Sequence, residues 1–206
     1  MNLHIQVKMS PYIICIDGNI GAGKTTLLNK LEQKGYVIFK EPIHSWIWIL
    51  TNCYSDPKRW AFTLQTAILQ SMSELKKQIE KSNSKLVFVE RCPVSTIAFT
   101  DMWYSQGCLS EGELKLVQNL YDLIGWIPDL TIMLNTNSNK CLERITSRGR
   151  DCEKSMTLNH LIEVESKYNN ICKNIYTKEP IILNNDTDID TLVTKVEQIL
   201  FEIDYL

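Results

Sequence analysis

Residues Ile16–Thr26 read IDGNIGAGKTT, and an apolar run, Tyr12–Ile16 (YIICI), leads directly into them. From Gly18 to Thr25 the stretch fits G-x-x-x-x-G-K-[ST]. Glycines let the backbone curl until several N–H groups face one set of phosphate oxygens. The helix that follows brings the positive end of its dipole to the same place. Gly18, Asn19, Ile20, Gly21, Ala22, Gly23 and Thr26 are therefore expected around a nucleotide's phosphates. Lys24 is expected to neutralise the β/γ-phosphates, and the Thr25 hydroxyl to bind Mg²⁺. The loop names a phosphate donor and leaves the acceptor open.

Outward from this loop, short apolar runs recur at Tyr36–Phe39, Lys85–Val89, Leu130–Leu134 and Pro180–Leu183, separated by helical patterns. Five buried strands alternating with helices predict an α/β fold with a parallel sheet covered on both faces. Lys24–Lys34 continues the loop as a helix and stops at Gly35. Ser110 with Glu113 predicts a capping box opening a Glu113–Gly125 helix, and Thr157–Tyr176 and Asp188–Ile203 read as amphipathic helices. No repeat, low-complexity tract or linker interrupts residues 1–206, so one domain is expected, with residues 1–10 a short disordered arm.

At 206 residues and 44% hydrophobic the chain is long enough for a full core. A formal charge of −2 supplies no basic field for a nucleic-acid backbone. Seven cysteines without a C-x-x-C pair fit a reduced, cytoplasmic protein. No apolar run approaches the roughly 18 residues of a membrane span, and MNLHIQVKMS lacks an apolar signal region.

Ligands of such sheets collect at the carboxyl ends of the strands. That rule draws Asp17, Glu41, Glu90 and Arg91 towards one phosphate site. In KEPIHSW (Lys40–Trp46), Glu41 is placed to accept a proton from an attacking hydroxyl, and Trp46 to wall a pocket for a planar ring. A strand-end Glu before a proline turn, with Trp46 in the core, accounts for the same residues. In VERCP (Val89–Pro93), Glu90 is a candidate Mg²⁺ ligand and Arg91 a bridge between Glu41 and the moving phosphoryl group, or the two are a surface ion pair. CLERITSRGRDCEK (Cys141–Lys154) sets Arg144 and Arg148 on one helical face, and Gly149 lets the chain turn before Arg150. Three guanidinium groups suit a lid over a triphosphate, or a solvated helix end. In Cys53–Met72, a helix opening near Pro57, Leu64, Ile68 and Met72 share a face with Gln65 beside them. A Gln amide carries donor and acceptor and, flipped, pairs with thymine or cytosine; the apolar three also suit the core.

Together, GNIGAGKTT, EPIHSW, RWAFTLQ, Glu90-Arg91 and CLERITSRGR with Glu153 resemble, in order and spacing, the deoxynucleoside kinase family. PIILNNDTDID resembles that family's adenine-side loop. The resemblance implies a P-loop kinase fold with an arginine-bearing lid, ATP as donor and Mg²⁺. It implies Glu41 as base, with Arg91 holding the 5′ region, and Trp46 and Gln65 at the nucleobase. Ile20, Ile43, Leu64, Ile68 and Met72 would shape the cleft, while Tyr54 and Glu153 would hold the 3′-hydroxyl. Thr25 and Glu90 match magnesium-side positions, Arg144, Arg148 and Arg150 the lid, and Asp188 and Ile189 the adenine loop. Family members commonly form homodimers packed through helices.

Two departures stand out. The acid–arginine pair is followed by Cys92-Pro93 rather than serine, and the position of the stacking aromatic holds Thr100, with Phe99 adjacent. Relatives selective for deoxycytidine or purines carry an arginine and an aspartate where Met72 and Thr96 stand, so this chain is expected to favour thymidine, with deoxycytidine accepted through Gln65. The rival readings are a thymidylate kinase, whose monophosphate acceptor Glu41 would repel, and a non-catalytic protein on the same fold.

Overall fold

Each apolar run becomes a strand of one parallel sheet: β1 (Tyr12–Gly18), β2 (Ile38–Phe39), β3 (Leu86–Glu90), β4 (Leu130–Asn135) and β5 (Ile181–Asn184), in the order β2-β3-β1-β4-β5. The computed structural model describes residues 10–176, 178–185 and 188–203, the side chains at 171–174 excepted. The expected N-terminal arm therefore lies outside the described residues, apart from Ser10.

Successive side chains of a strand point to opposite faces, and here both faces are buried. Ile13 and Cys15 of β1 join Val87 and Val89 of β3 in one core; Ile14 and Ile16 join Phe88, Ile132 and Leu134 in the other. The first core is closed by α2 (Ile47–Ser55), α3 (Pro57–Lys81), α4 (Pro93–Ser105) and α7 (Leu158–Asn174), through residues such as Cys53, Met72, Met102 and Val164. The second is closed by α1 (Lys24–Gln33), α6 (Ser138–Arg148) and α8 (Ile189–Glu202), through Leu27, Ile145 and Val196. Between α4 and β4 lies α5 (Glu111–Ile124), opened by the expected capping box: Ser110 Oγ accepts from Glu113 N at 3.3 Å and Glu113 Oε2 from Ser110 N at 2.8 Å.

Several boundaries differ from expectation, among them the start of α5, which is Glu111 rather than Glu113 because Ser110 is its cap, and the end of α3, which runs past Met72 to Lys81. The helix opening at Pro57 does not include Cys53: Asp56 breaks the run, accepting Arg59 N at 3.3 Å as the α3 cap, and Cys53 belongs to α2. β2 is shorter than Tyr36–Phe39 because Tyr36 N is held by Leu31 O at 3.2 Å in the turn that ends α1, its ring edge-on to Phe88. No helix among the described residues is long and apolar enough to cross a membrane.

Candidate active site

The phosphate loop joins β1 to α1 at the carboxyl end of the central strand. Its backbone needs glycine: Gly21 has φ 77°, and a Cβ there would stand 2.6 Å from Cys141 O. Gly23 opens α1 at φ 94°, where a Cβ would meet Asn185 Nδ2 at 2.7 Å. Lys24 is buried beneath the loop, its Nζ donating to Gly18 O (3.0 Å) and Asn19 O (2.7 Å). Burial, reinforced by the Arg91 charge, lowers the Lys24 pKa to about 8.

Beside the loop the strand-end acids and the arginine meet as topology requires. Arg91 follows β3 with φ 62°, a left-handed conformation rare outside glycine, and donates its N–H to Ile16 O of β1 at 3.1 Å. Its side chain is fixed from three sides. Nη1 donates to Asp17 Oδ1 at 3.0 Å and to the Tyr168 hydroxyl, and Nε stands 3.4 Å from Glu41 Oε2. The Phe99 ring covers the guanidinium, with Cζ 5.4 Å from its centroid. Asp17, fully buried, also accepts from Tyr168 Oη at 3.2 Å and Gly18 N at 2.7 Å. Burial opposes the Arg91 charge, but Tyr168, Glu41, Asp17 and Glu90 outweigh it and its pKa is raised. Glu41 has a side chain 10% exposed, and burial raises its pKa to about 7 against the lowering effect of Arg91. A carboxylate poised near neutrality suits general-base work.

Thr25 Oγ1 donates to Glu90 Oε1 at 2.5 Å. A hydroxyl and a carboxylate side by side at the phosphate loop are hard oxygen donors of the kind Mg²⁺ takes alongside phosphate and water, so the pair fits that ion.

The lid lies at the end of α6. Gly149, at φ 64°, turns the chain into a short 3₁₀ turn at Asp151–Glu153. Arg148 grips the buried Glu153 with two hydrogen bonds, Arg150 Nη1 stands 3.6 Å from the same carboxylate, and Arg144 Nη1 reaches Gly21 O at 3.5 Å. Burial and the Glu153 charge raise the Tyr54 pKa, which places its phenol in the field of that carboxylate.

These groups surround one cavity of about 410 Å³. Its phosphate end is lined by Ile20, Gly21, Gly23, Lys24, Thr25 and Thr26, and its lid by Arg144, Arg148, Arg150 and Ile189. Glu41, Glu90 and Arg91 stand between these and Ile43, Trp46, Leu64, Gln65 and Ile68, with Tyr54 and Glu153 completing the wall. The deoxynucleoside kinase family model matches residues 14–206.

The chain belongs to the deoxynucleoside kinase family.

This deoxynucleoside kinase is 31% identical over 189 residues to a provisional deoxynucleoside kinase of Frog virus 3 (isolate Goorha), covering 90% of this chain and 97% of that one. It is 35% identical over 181 residues to a deoxyadenosine kinase of Dictyostelium discoideum, covering 84% and 71% of the two chains. A solved deoxyadenosine kinase from M. mycoides superposes with a TM-score of 0.82 at 24% identity, covering 93% of this kinase and 100% of that chain, and so shares its fold.

Not every expected residue lines the kinase's cavity. Met72 and Thr96, 1% and 2% exposed, are buried and do not line it, although Met72 shares a face of α3 with Leu64 and Ile68, which do. Thr100 likewise is buried, bonding Thr96 O at 2.7 Å, and Phe99 supplies the aromatic instead. Asp188 is committed to capping α8, accepting Thr191 N at 2.9 Å, while Ile189 reaches the cavity. Gly18, Asn19 and Ala22 shape the loop from behind; Ala22 O accepts from Thr136 Oγ1 and Asn185 Nδ2.

Five contributors escaped the sequence. Tyr168 holds Arg91 together with the expected strand-end acid Asp17, and Leu50, Trp103, His160 and Asn185 join the lining. All five depend on how α2, α4, α7 and the end of β5 pack, which leaves no local signature.

Proposed function

We propose that the enzyme transfers the γ-phosphoryl group of ATP to the 5′-hydroxyl of a deoxynucleoside, with thymidine favoured and deoxycytidine accepted. The observation that carries this is Glu41: buried, raised to about 7 and 3.4 Å from Arg91, it joins the donor loop and the base-reading Gln65 in a single cavity. Glu41 takes the 5′-hydroxyl proton as the oxygen attacks in line. Arg91 steadies the carboxylate and the phosphoryl oxygens, and Lys24 with the lid arginines balances charge spreading over the equatorial oxygens. Thr25 and Glu90 would hold Mg²⁺, which would supply further charge neutralisation at the donor phosphates.

Base choice rests on the wall formed by Trp46, Leu64, Gln65, Ile68 and Phe99, which holds no charged side chain. Gln65 is 1% exposed and its Oε1 has no partner among the described residues, so a base edge can satisfy it. Met72 and Thr96 act from behind this wall, by carrying no charge against thymine's methyl group. A purine acceptor is the second reading, favoured by the name of the Dictyostelium relative. Action in the cytoplasm is supported by six described cysteines that are all free thiols. Assembly as a homodimer rests on the family resemblance, and sedimentation equilibrium tests it.

The deciding experiment compares all four deoxynucleosides and thymidylate as acceptors with ATP and Mg²⁺. Thymidine should lead and thymidylate should be inert. Deoxyguanosine far ahead of thymidine would overturn the pyrimidine preference, and transfer to thymidylate would overturn the hydroxyl acceptor.

A further inference from the structure

Four buried polar atoms without a partner among the described residues belong to side chains that line the active-site cavity: Trp46 Nε1, Gln65 Oε1, Trp103 Nε1 and His160 Nε2. Trp46 and Gln65 are accounted for by base reading. Nothing in phosphoryl transfer or base reading uses His160.

Its ring is positioned by two neighbours. It stands edge-on to Tyr54 of α2 at 6.2 Å between centroids and tilted against Trp103 of α4 at 5.5 Å. Tyr54 in turn lies in the field of Glu153. The lid turn, α2 and the start of α7 therefore bring Glu153, Tyr54 and His160 to the same end of the cavity. Burial lowers the His160 pKa, opposed by Glu163, which favours the neutral ring. A neutral imidazole nitrogen either donates or accepts, as does a hydroxyl. An anion at this end would meet the Glu153 charge, and a bare methylene would leave Nε2 without a partner.

We propose that His160 is a specificity-determining residue that hydrogen-bonds the 3′-hydroxyl of the acceptor's deoxyribose through Nε2, alongside Tyr54 and Glu153. The hydroxyl donates to the Glu153 carboxylate and its oxygen accepts from the imidazole N–H. Trp103 keeps the ring in place. This deepens the deoxynucleoside kinase reading and rests on it.

The test compares a deoxynucleoside with its 2′,3′-dideoxy counterpart in the wild type, His160→Phe and His160→Gln. His160→Phe keeps a ring and removes the nitrogen. It should lower kcat/KM for the deoxynucleoside about 3- to 10-fold, the worth of one hydrogen bond, and leave the dideoxy substrate unchanged. His160→Gln, with an amide near the place of Nε2, should keep most of the wild-type preference. Should the phenyl ring not be accommodated, His160→Leu carries the same comparison. An equal fall on both substrates, or none on either, would overturn the proposal and leave His160 a packing residue. A wild type that phosphorylates no deoxynucleoside would overturn the functional reading itself, and this inference with it.

Discussion

Arg148 holds Glu153 by a two-pronged pair, Nε to Oε2 at 2.8 Å and Nη2 to Oε1 at 2.6 Å. One arginine of the lid is thus tied to the carboxylate proposed to hold the sugar, and under that proposal the donor and acceptor sides share a residue pair. Among the described residues, Arg148→Ala leaves the buried Glu153 with Arg150 as its charged partner, at 3.6 Å. The variant should be destabilised by about 1–3 kcal/mol, the cost of a buried charge losing hydrogen bonds, and should handle ATP less well. Its ranking of nucleobases should not change. Thermal unfolding and the four-acceptor assay read the two effects separately, and an altered base ranking would count against the lid role.

Glu41→Gln keeps the shape of the site and removes the base. Turnover should fall about 10²- to 10⁴-fold while the nucleoside still binds. Isothermal titration with single-turnover kinetics checks both, and near-normal turnover removes Glu41 from the mechanism.

The same residue sets a pH dependence whose sign follows from its charge. The base form is the carboxylate and its pKa is raised to about 7, so kcat/KM should fall as pH drops below about 7, and this limb should vanish in Glu41→Gln. Stability runs the other way. Between the ordinary value of 4.5 and about 7 the folded state holds a proton that the unfolded chain has released, so this residue costs stability as pH rises through that window. Denaturant titrations of wild type and Glu41→Gln across that range should diverge accordingly.

Lys24 supplies the opposite limb. With its pKa lowered to about 8, it loses its charge above that pH in the free enzyme. ATP phosphates favour the charged form, so alkaline loss of activity should appear at low ATP and recede at saturating ATP. An alkaline limb indifferent to ATP concentration would place its origin elsewhere.

Gly21→Ala asks for a Cβ 2.6 Å from Cys141 O at a backbone φ of 77°. Neither atom belongs to a flexible side chain, so the loop must shift. The variant should be destabilised by about 1–3 kcal/mol and raise the KM for ATP more than that for the nucleoside. Calorimetry and initial rates check this.

Much of this architecture could be read before any coordinates. All five strands, the phosphate loop and the capping box at Ser110 were legible because each rests on local chemistry: apolar runs, glycine spacing and a side chain that bonds three residues away. The break at Asp56 was less legible, since a helical period runs on either side of it. That Met72 and Thr96 stand behind the cavity wall was hidden for a different reason. Residues on one helical face are known from spacing, but where along that face the cavity gives way to the core depends on how α3 and α4 pack.

Sequence by itself determined the donor side, because a glycine-rich loop acts through its own backbone and needs only the strand and helix that flank it. It also determined which residues stand at strand ends, and hence that Glu41, Glu90 and Arg91 converge. Tertiary structure decided the rest. It chose Phe99 over Thr100 as the ring over Arg91, bound Arg91 to Asp17 and Tyr168, and brought His160 beside Tyr54 from more than a hundred residues away. These are contacts between elements distant in the chain, and the orientation of one helix against another is set by the packing of the core rather than by any local run of residues.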